Sequence, residues 1–252
     1  MRSAIQSERL KEKHSGMASL MVLVPLTTFL VSVLISGASN ASRAMVYWWE
    51  LLFMSVLMSA FQWIRWDYER SAAHGQNRAF SGMPEELLVA ADLLLVTIRT
   101  VLSSAICCLF VAGIARLTAG AMETHPIPFG RYCLAFLAIL LAEAWMIPVT
   151  QLASVRPGGV ILVVLCCINM ALGPLAAQTT FWYLVPASYP FVATGRLLSI
   201  HPSGALEEYN GGTIAQAMRG KPYAAVLLGI LLAAVLAALV LWKSRRTRAV
   251  NR

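Results

Sequence analysis

The sequence predicts an all-α integral membrane protein of six transmembrane helices, with an N-terminal interfacial helix, a cytoplasmic element after the second span and an outer re-entrant segment. Three observations carry this. Of 252 residues, 58% are hydrophobic and 13% charged, against about 45–50% and about 25% in soluble chains. The mean hydropathy is +0.68. The apolar residues also gather into runs of the roughly 20 needed to cross a bilayer core as a helix. A disordered chain is poor in apolar residues, so disorder is excluded. The period-2 alternation of a membrane barrel is missing.

The elements follow in order. Residues 1–16 form a charged leader, with Ser7-Glu8-Arg9-Leu10-Lys11-Glu12-Lys13-His14 prone to helix. It is either a solvated leader or an amphipathic helix on the inner leaflet, where basic residues meet anionic headgroups. No small-residue cleavage site follows the first apolar run, so that run is expected to remain as an anchor. The spans are 17–37, 44–64, 93–115, 132–153, 160–185 and 224–242. The first ends at the polar Gly37-Ala38-Ser39-Asn40. Trp48, Trp49, Trp63 and Trp66 flank the second span at the depth of an interfacial belt.

After the second span, Arg65–Arg70 extends the helix, and Gly75, Asn77 and Gly82 break it. Pro84-Glu85-Glu86 opens the next helix, since proline in a first turn needs no N–H partner and acids suit the positive helix end. The result is two short helical pieces with a turn between them, projecting from the membrane. In the fifth span Gly173-Pro174 is expected to bend or interrupt the helix. The following Phe181–Phe191, with two prolines and four aromatics before its last residue, suits a short re-entrant or interface-lying helix.

The distribution of Lys and Arg sets orientation. With the N-terminus inside, inner segments hold 13 of these residues and outer segments six, Arg99 lying within a span. Both termini are then cytoplasmic, the tract Lys243–Arg248 weighing most. The net charge of +8 does not mark a nucleic-acid binder, because the basic residues flank apolar runs instead of forming a stripe interleaved with aromatics.

Motifs for chemistry are few. Gly220-Lys221 is followed by Pro222, so there is no P-loop. Neither His-Glu-x-x-His nor Gly-x-Ser-x-Gly occurs, and no catalytic residue or metal site is predicted. The five cysteines lack zinc-ligand spacing and read as buried small hydrophobes. Glu143, near the middle of the fourth span, is either a functional group or a protonated helix–helix contact. Arg99 either snorkels or faces substrate, and Glu50 is expected at the outer interface.

Together the leader Ser7–Lys13, Pro25, Trp48-Trp49, Ser81-Gly-Met-Pro84 and the outer Trp182-Tyr183, Tyr189-Pro190 and His201-Pro202-Ser203-Gly204 carry a resemblance. The chain resembles the permease subunits of lantibiotic-immunity ABC transporters (the MutE/EpiE type), within the ABC type-2 permeases. That resemblance implies a six-helix subunit of a bacterial plasma membrane that pairs with a second homologous permease. It implies ATP bound by a separate ATP-binding subunit, no cofactor of its own, and a lantibiotic-type peptide as cargo. The cytoplasmic element would then be the coupling element, with Arg78, Pro84, Glu85 and Glu86 at the ATPase. Substrate-path candidates are Glu143, Trp182, Tyr183, Tyr189, His201, Glu207 and Glu208. The last two are either a solvated loop or acids that meet a cationic cargo. Another peptide, a lipid or a drug is the alternative cargo, and an intramembrane enzyme using Glu143 and a histidine is the alternative class.

Overall fold

A computed structural model describes residues 2–12, 15–73, 82–118, 127–154, 159–204 and 220–250. Among them the elements are helical. Helix α1 spans Arg2–Glu12 and α2 spans Met17–Trp48, followed by a π-helical stretch Trp49–Phe53 and α3, Met54–Ala73. Then come α4 (Glu85–Thr118), α5 (Phe129–Ala142), α6 (Met146–Ser154) and α7 (Val160–Ala177). Short 3₁₀ turns at Trp182–Leu184 and Pro186–Ser188 lead into α8 (Tyr189–Leu198), and α9 is Pro222–Val250.

The directions of these helices follow from their contacts. Met17 meets Arg99 at 3.0 Å, Ser103 donates to the Met21 carbonyl at 3.0 Å, and Phe29 stacks on Phe110 at 5.8 Å. The numbers rise together, so the first arm of α2 runs parallel to α4. Arg65 pairs with Asp92, and Arg99 sits over the Phe61 ring at 5.8 Å, so α3 runs the opposite way. Arg99 thus touches both Met17 and Phe61, which an unbroken helix would hold about 66 Å apart. The chain reverses at Gly37, whose φ of 71° and ψ of 167° only glycine adopts readily.

The same reasoning places the rest. Gly159 lies against Trp63, Cys166 meets Ser59 and Asn169 meets Ser55, so α7 is antiparallel to α3. Tyr132 bonds Ser42 and Ser55 bonds Glu143, so α5 runs with α3. Helix α9 starts where α7 finishes, with Gly220 against Trp182 and Gly229 against Ala142. One end of the bundle collects α1, the end of α3 and the start of α4. The other collects the Gly37 turn, the 3₁₀ turns and α8.

The interior holds polar groups among its apolar side chains, and the surface is apolar. Thr28, Ser32, Ser55, Gln62, Thr100 and Asn169 are buried, while Leu23, Leu34, Leu109, Val160, Leu175 and Leu231 are exposed. In lipid an exposed leucine costs nothing, and polar groups seek the interior to bond one another. Pro25 illustrates it. Proline removes the donor that would occupy the Met21 carbonyl, and the Ser103 hydroxyl supplies one instead. Four helical runs are long and apolar enough to cross a membrane, or five when the bent pair α5–α6 counts as one.

Several expectations are corrected. The fourth run is not one helix: it breaks after Ala142 and bends by 42°. Pro148 explains this, because its ring clashes with the carbonyl four residues back, at Ala144. The fifth helix ends at Ala177 instead of 185, and it continues through Gly173-Pro174 uninterrupted. Proline near the end of a helix breaks one hydrogen bond without deflecting what precedes it. Trp49 is core instead of belt, fully buried with Met45 and Met54. Glu50 is not interfacial: it is 2% exposed, and the Thr194 hydroxyl donates to its carboxylate because α8 folds over it. Cys107 and Cys166 are buried, but Cys133 and Cys167 are exposed on apolar helix faces.

Candidate functional site

Three groups of residues stand out, one at mid-height and one at each end of the bundle. The mid-height group forms where α5 stops. Glu143 is fully buried, and its backbone N–H still bonds the Ile139 carbonyl at 2.9 Å while its own carbonyl accepts from Met146 at 2.9 Å. The Ser55 hydroxyl donates to Glu143 Oε1. Asn169 Nδ2 donates to Ser55 Oγ at 2.6 Å and to the same Oε1 at 3.1 Å. Three helical runs are thereby joined by side chains in a region without water to compete. Sequence reasoning had Glu143 but missed its partners. Asn169 is the one amide in the apolar run Val160–Ala177, and Pro148 five residues after Glu143 signalled the break.

At the α1 end, Arg65 is bonded to Glu8 of α1 and to Asp92 of α4, all three buried. The leader therefore lies on the bundle, with Ala4 packed against Leu88 and Ala91. Pro84 precedes α4, and its carbonyl accepts from the Leu87 and Leu88 N–H groups at 3.0 and 3.3 Å. Glu85 and Glu86 occupy the first turn, half-buried, as expected from their charge at a positive helix end. Helix α3 runs on to Ala73 and α4 begins at Glu85, while 74–81, where the turn of the expected projection falls, lie outside the described residues. Arg78 lies outside the described residues.

At the opposite end, Trp182 and Tyr189 are buried against each other, edge to face, with ring centroids 6.1 Å apart. The Tyr189 hydroxyl donates to the Tyr183 carbonyl at 2.8 Å, pinning the turn. Tyr183 itself is 47% exposed, beside exposed Phe181 and Leu184. These aromatics divide: Trp182 and Tyr189 hold the segment down, and Tyr183 is available to a ligand. His201 Nδ1 accepts the Ser203 N–H at 3.2 Å and faces the Ser203 hydroxyl at 2.8 Å. Burial pushes its imidazole below the ordinary value. Glu207 and Glu208 lie outside the described residues. His201, the one histidine among the described residues, faces Ser203 and not Glu143, and His14, His74 and His125 lie outside the described residues.

A groove of about 520 Å³ also opens between α3 and α7, walled by apolar side chains such as Val56, Trp63, Leu162 and Met170. No run in the sequence marks this groove, because helix spacing is a tertiary property. No protein-family model, curated protein or solved structure matches this chain.

Proposed function

We propose that this chain is the membrane-spanning permease subunit of an ABC transporter that expels a lantibiotic-type antimicrobial peptide from a bacterial plasma membrane, protecting the producer. The observation that carries it is the alternation of direction along the chain. The first arm of α2, α3, α4, the pair α5–α6, α7 and α9 run successively up and down the bundle. Six crossings put both termini on one side, and the basic tract Lys243–Arg248 makes that side the cytoplasm. The subunit is not itself an enzyme: with no P-loop, it borrows ATP hydrolysis from a separate subunit.

The end that collects α1, the end of α3 and the start of α4 is the natural seat for that ATPase, and Pro84-Glu85-Glu86 is the half-buried start of a helix running through the membrane domain. The opposite end, with α8 tucked into the bundle and Phe181, Tyr183 and Leu184 outside, suits an amphipathic peptide taken from the outer leaflet, where aromatic rings partition. A second copy or a homologous permease completes the pathway.

The test is to read the neighbouring open reading frames for a Walker-motif ATPase and a second six-span permease, and to co-express them with this chain. A stable complex whose ATP hydrolysis rises with lantibiotic, together with increased lantibiotic sensitivity on deletion, is the expected result. Replacing Pro84-Glu85-Glu86 by Ala-Lys-Lys leaves insertion intact and weakens ATPase association. Unchanged sensitivity with an intact complex moves the cargo to another peptide, lipid or drug. ATP hydrolysis by the isolated chain overturns the reading.

A further inference from the structure

Glu143 and Asn169 are bonded to each other through one atom of each, and their remaining oxygens tell the rest. Asn169 Nδ2 donates to Glu143 Oε1 at 3.1 Å. Glu143 Oε2 and Asn169 Oδ1 are both buried and both without a hydrogen-bond partner. The residues are 0% and 2% exposed. An ionised carboxylate and an amide carbonyl are both acceptors, so no arrangement of these two oxygens satisfies either while Glu143 is charged. No cation among the described residues faces Glu143 to offset that charge. A carboxylic acid changes the count. It supplies one O–H, which Asn169 Oδ1 can accept while Asn169 Nδ2 keeps its bond to Oε1, closing a two-bond acid–amide ring.

We propose that Glu143 and Asn169 form a proton-binding site at the break between α5 and α6, the bound proton sitting on Glu143 Oε2 and bridging to Asn169 Oδ1. The proton comes from water and returns to it, with no change in any other bond. While it is held, Ser55, Glu143 and Asn169 tie α3, the broken span and α7 into one joint. When it leaves, a charged carboxylate and an amide oxygen are both left buried without a donor, and the joint opens at the place where the helix has already lost its backbone continuity. The titratable groups facing the site are Glu50 on the π-helical stretch and Cys166 on α7, each of which feels the Glu143 charge. From the fourth side α9 approaches with Gly229 against Ala142, and its run Ala224–Trp242 carries no titratable side chain. Unlike the transport reading, this proposal requires neither an ATPase nor a cargo.

The experiment is infrared difference spectroscopy of the full chain in phosphatidylcholine vesicles, with thermal unfolding alongside. A protonated-carboxyl C=O band is expected at neutral pH that disappears in E143Q and shifts in N169A, where the acceptor is gone. E143Q keeps its Tm within about 2 °C of the wild type, because the glutamine N–H replaces the acid O–H toward Asn169 Oδ1. Identical carboxyl spectra for wild type and E143Q overturn the proposal. So does a wild-type Tm that rises with Na⁺ or K⁺ at constant ionic strength while E143Q does not respond, since the two oxygens then hold a metal cation. Should E143Q prove unstable, the band shift in N169A alone decides, and an unshifted band refutes the ring.

Discussion

At Gly229, α9 lies against the backbone of Ala142, and replacing the glycine by alanine sets two effects of opposite sign against each other. A Cβ built there would stand 2.7 Å from Ala142 Cα and 2.8 Å from its carbonyl carbon, where ordinary contact begins at 3.4 Å. The obstacle is main chain, so no rotamer change relieves it, and α9 must move away by more than the 0.6–0.7 Å shortfall in those contacts, since the Ala142 carbonyl oxygen is closer still. Overpacking of this kind costs about 1–3 kcal/mol, and the immovable partner puts it near the top of that range. Alanine in a helix interior returns about 1 kcal/mol relative to glycine. The net loss is about 2 kcal/mol, or a fall in Tm of about 4–8 °C for a chain of this size. Gly113, in α4, is the control: nothing lies within 4 Å of its added Cβ, so G113A shows the helix gain alone. Thermal unfolding of both variants in the same detergent is the assay. A G229A protein as stable as the wild type, or more so, would refute the close approach of α9 to the α5 break and with it the packing derived above.

Two further predictions concern the ends of the bundle. Arg65 neutralises two buried acids, so R65M strands both and lowers Tm by on the order of 10 °C, while the triple variant E8Q/R65M/D92N recovers most of the loss; a triple variant no better than R65M refutes the cluster. His201 is favoured neutral in the fold, so the turn it holds is fully stable above its ordinary value of 6.5 and weakens as pH falls, and a ring titration by NMR at or above 6.5 contradicts the burial.

How much of this was legible in advance depends on the kind of signal. The apolar runs are visible because crossing a bilayer fixes a minimum length, so 17–37, 93–115 and 224–242 each fall on a helix. The start of α4 at Glu85 follows from Pro84 and two acids, a local signal read locally. Errors arose where hydropathy was asked to do the work of packing. Trp49 and Glu50 look interfacial because they sit at the edge of a run, yet both are buried, Glu50 under α8, whose Thr194 comes from 144 residues later in the chain. Asn169 was invisible as a partner because an isolated amide in an apolar run carries no periodicity. Pro148 was a local signal overlooked, since the fourth run was judged by its greasiness alone.

Composition and the missing period-2 alternation together determined that the chain builds long apolar helices, because in lipid only helices and closed barrels satisfy their own backbone. The spacing of basic residues likewise argues for which end faces the cytoplasm, since that depends on charge near the helix ends and not on what the helices touch. Only the tertiary structure decided which buried polar groups meet: Ser55 with Glu143 and Asn169, Arg65 with Glu8 and Asp92, Glu50 with Thr194. Those pairings join residues 26 to 144 positions apart. Hydropathy is a property of each residue alone, whereas a hydrogen bond depends on the relative height and rotation of two helices, and packing sets both.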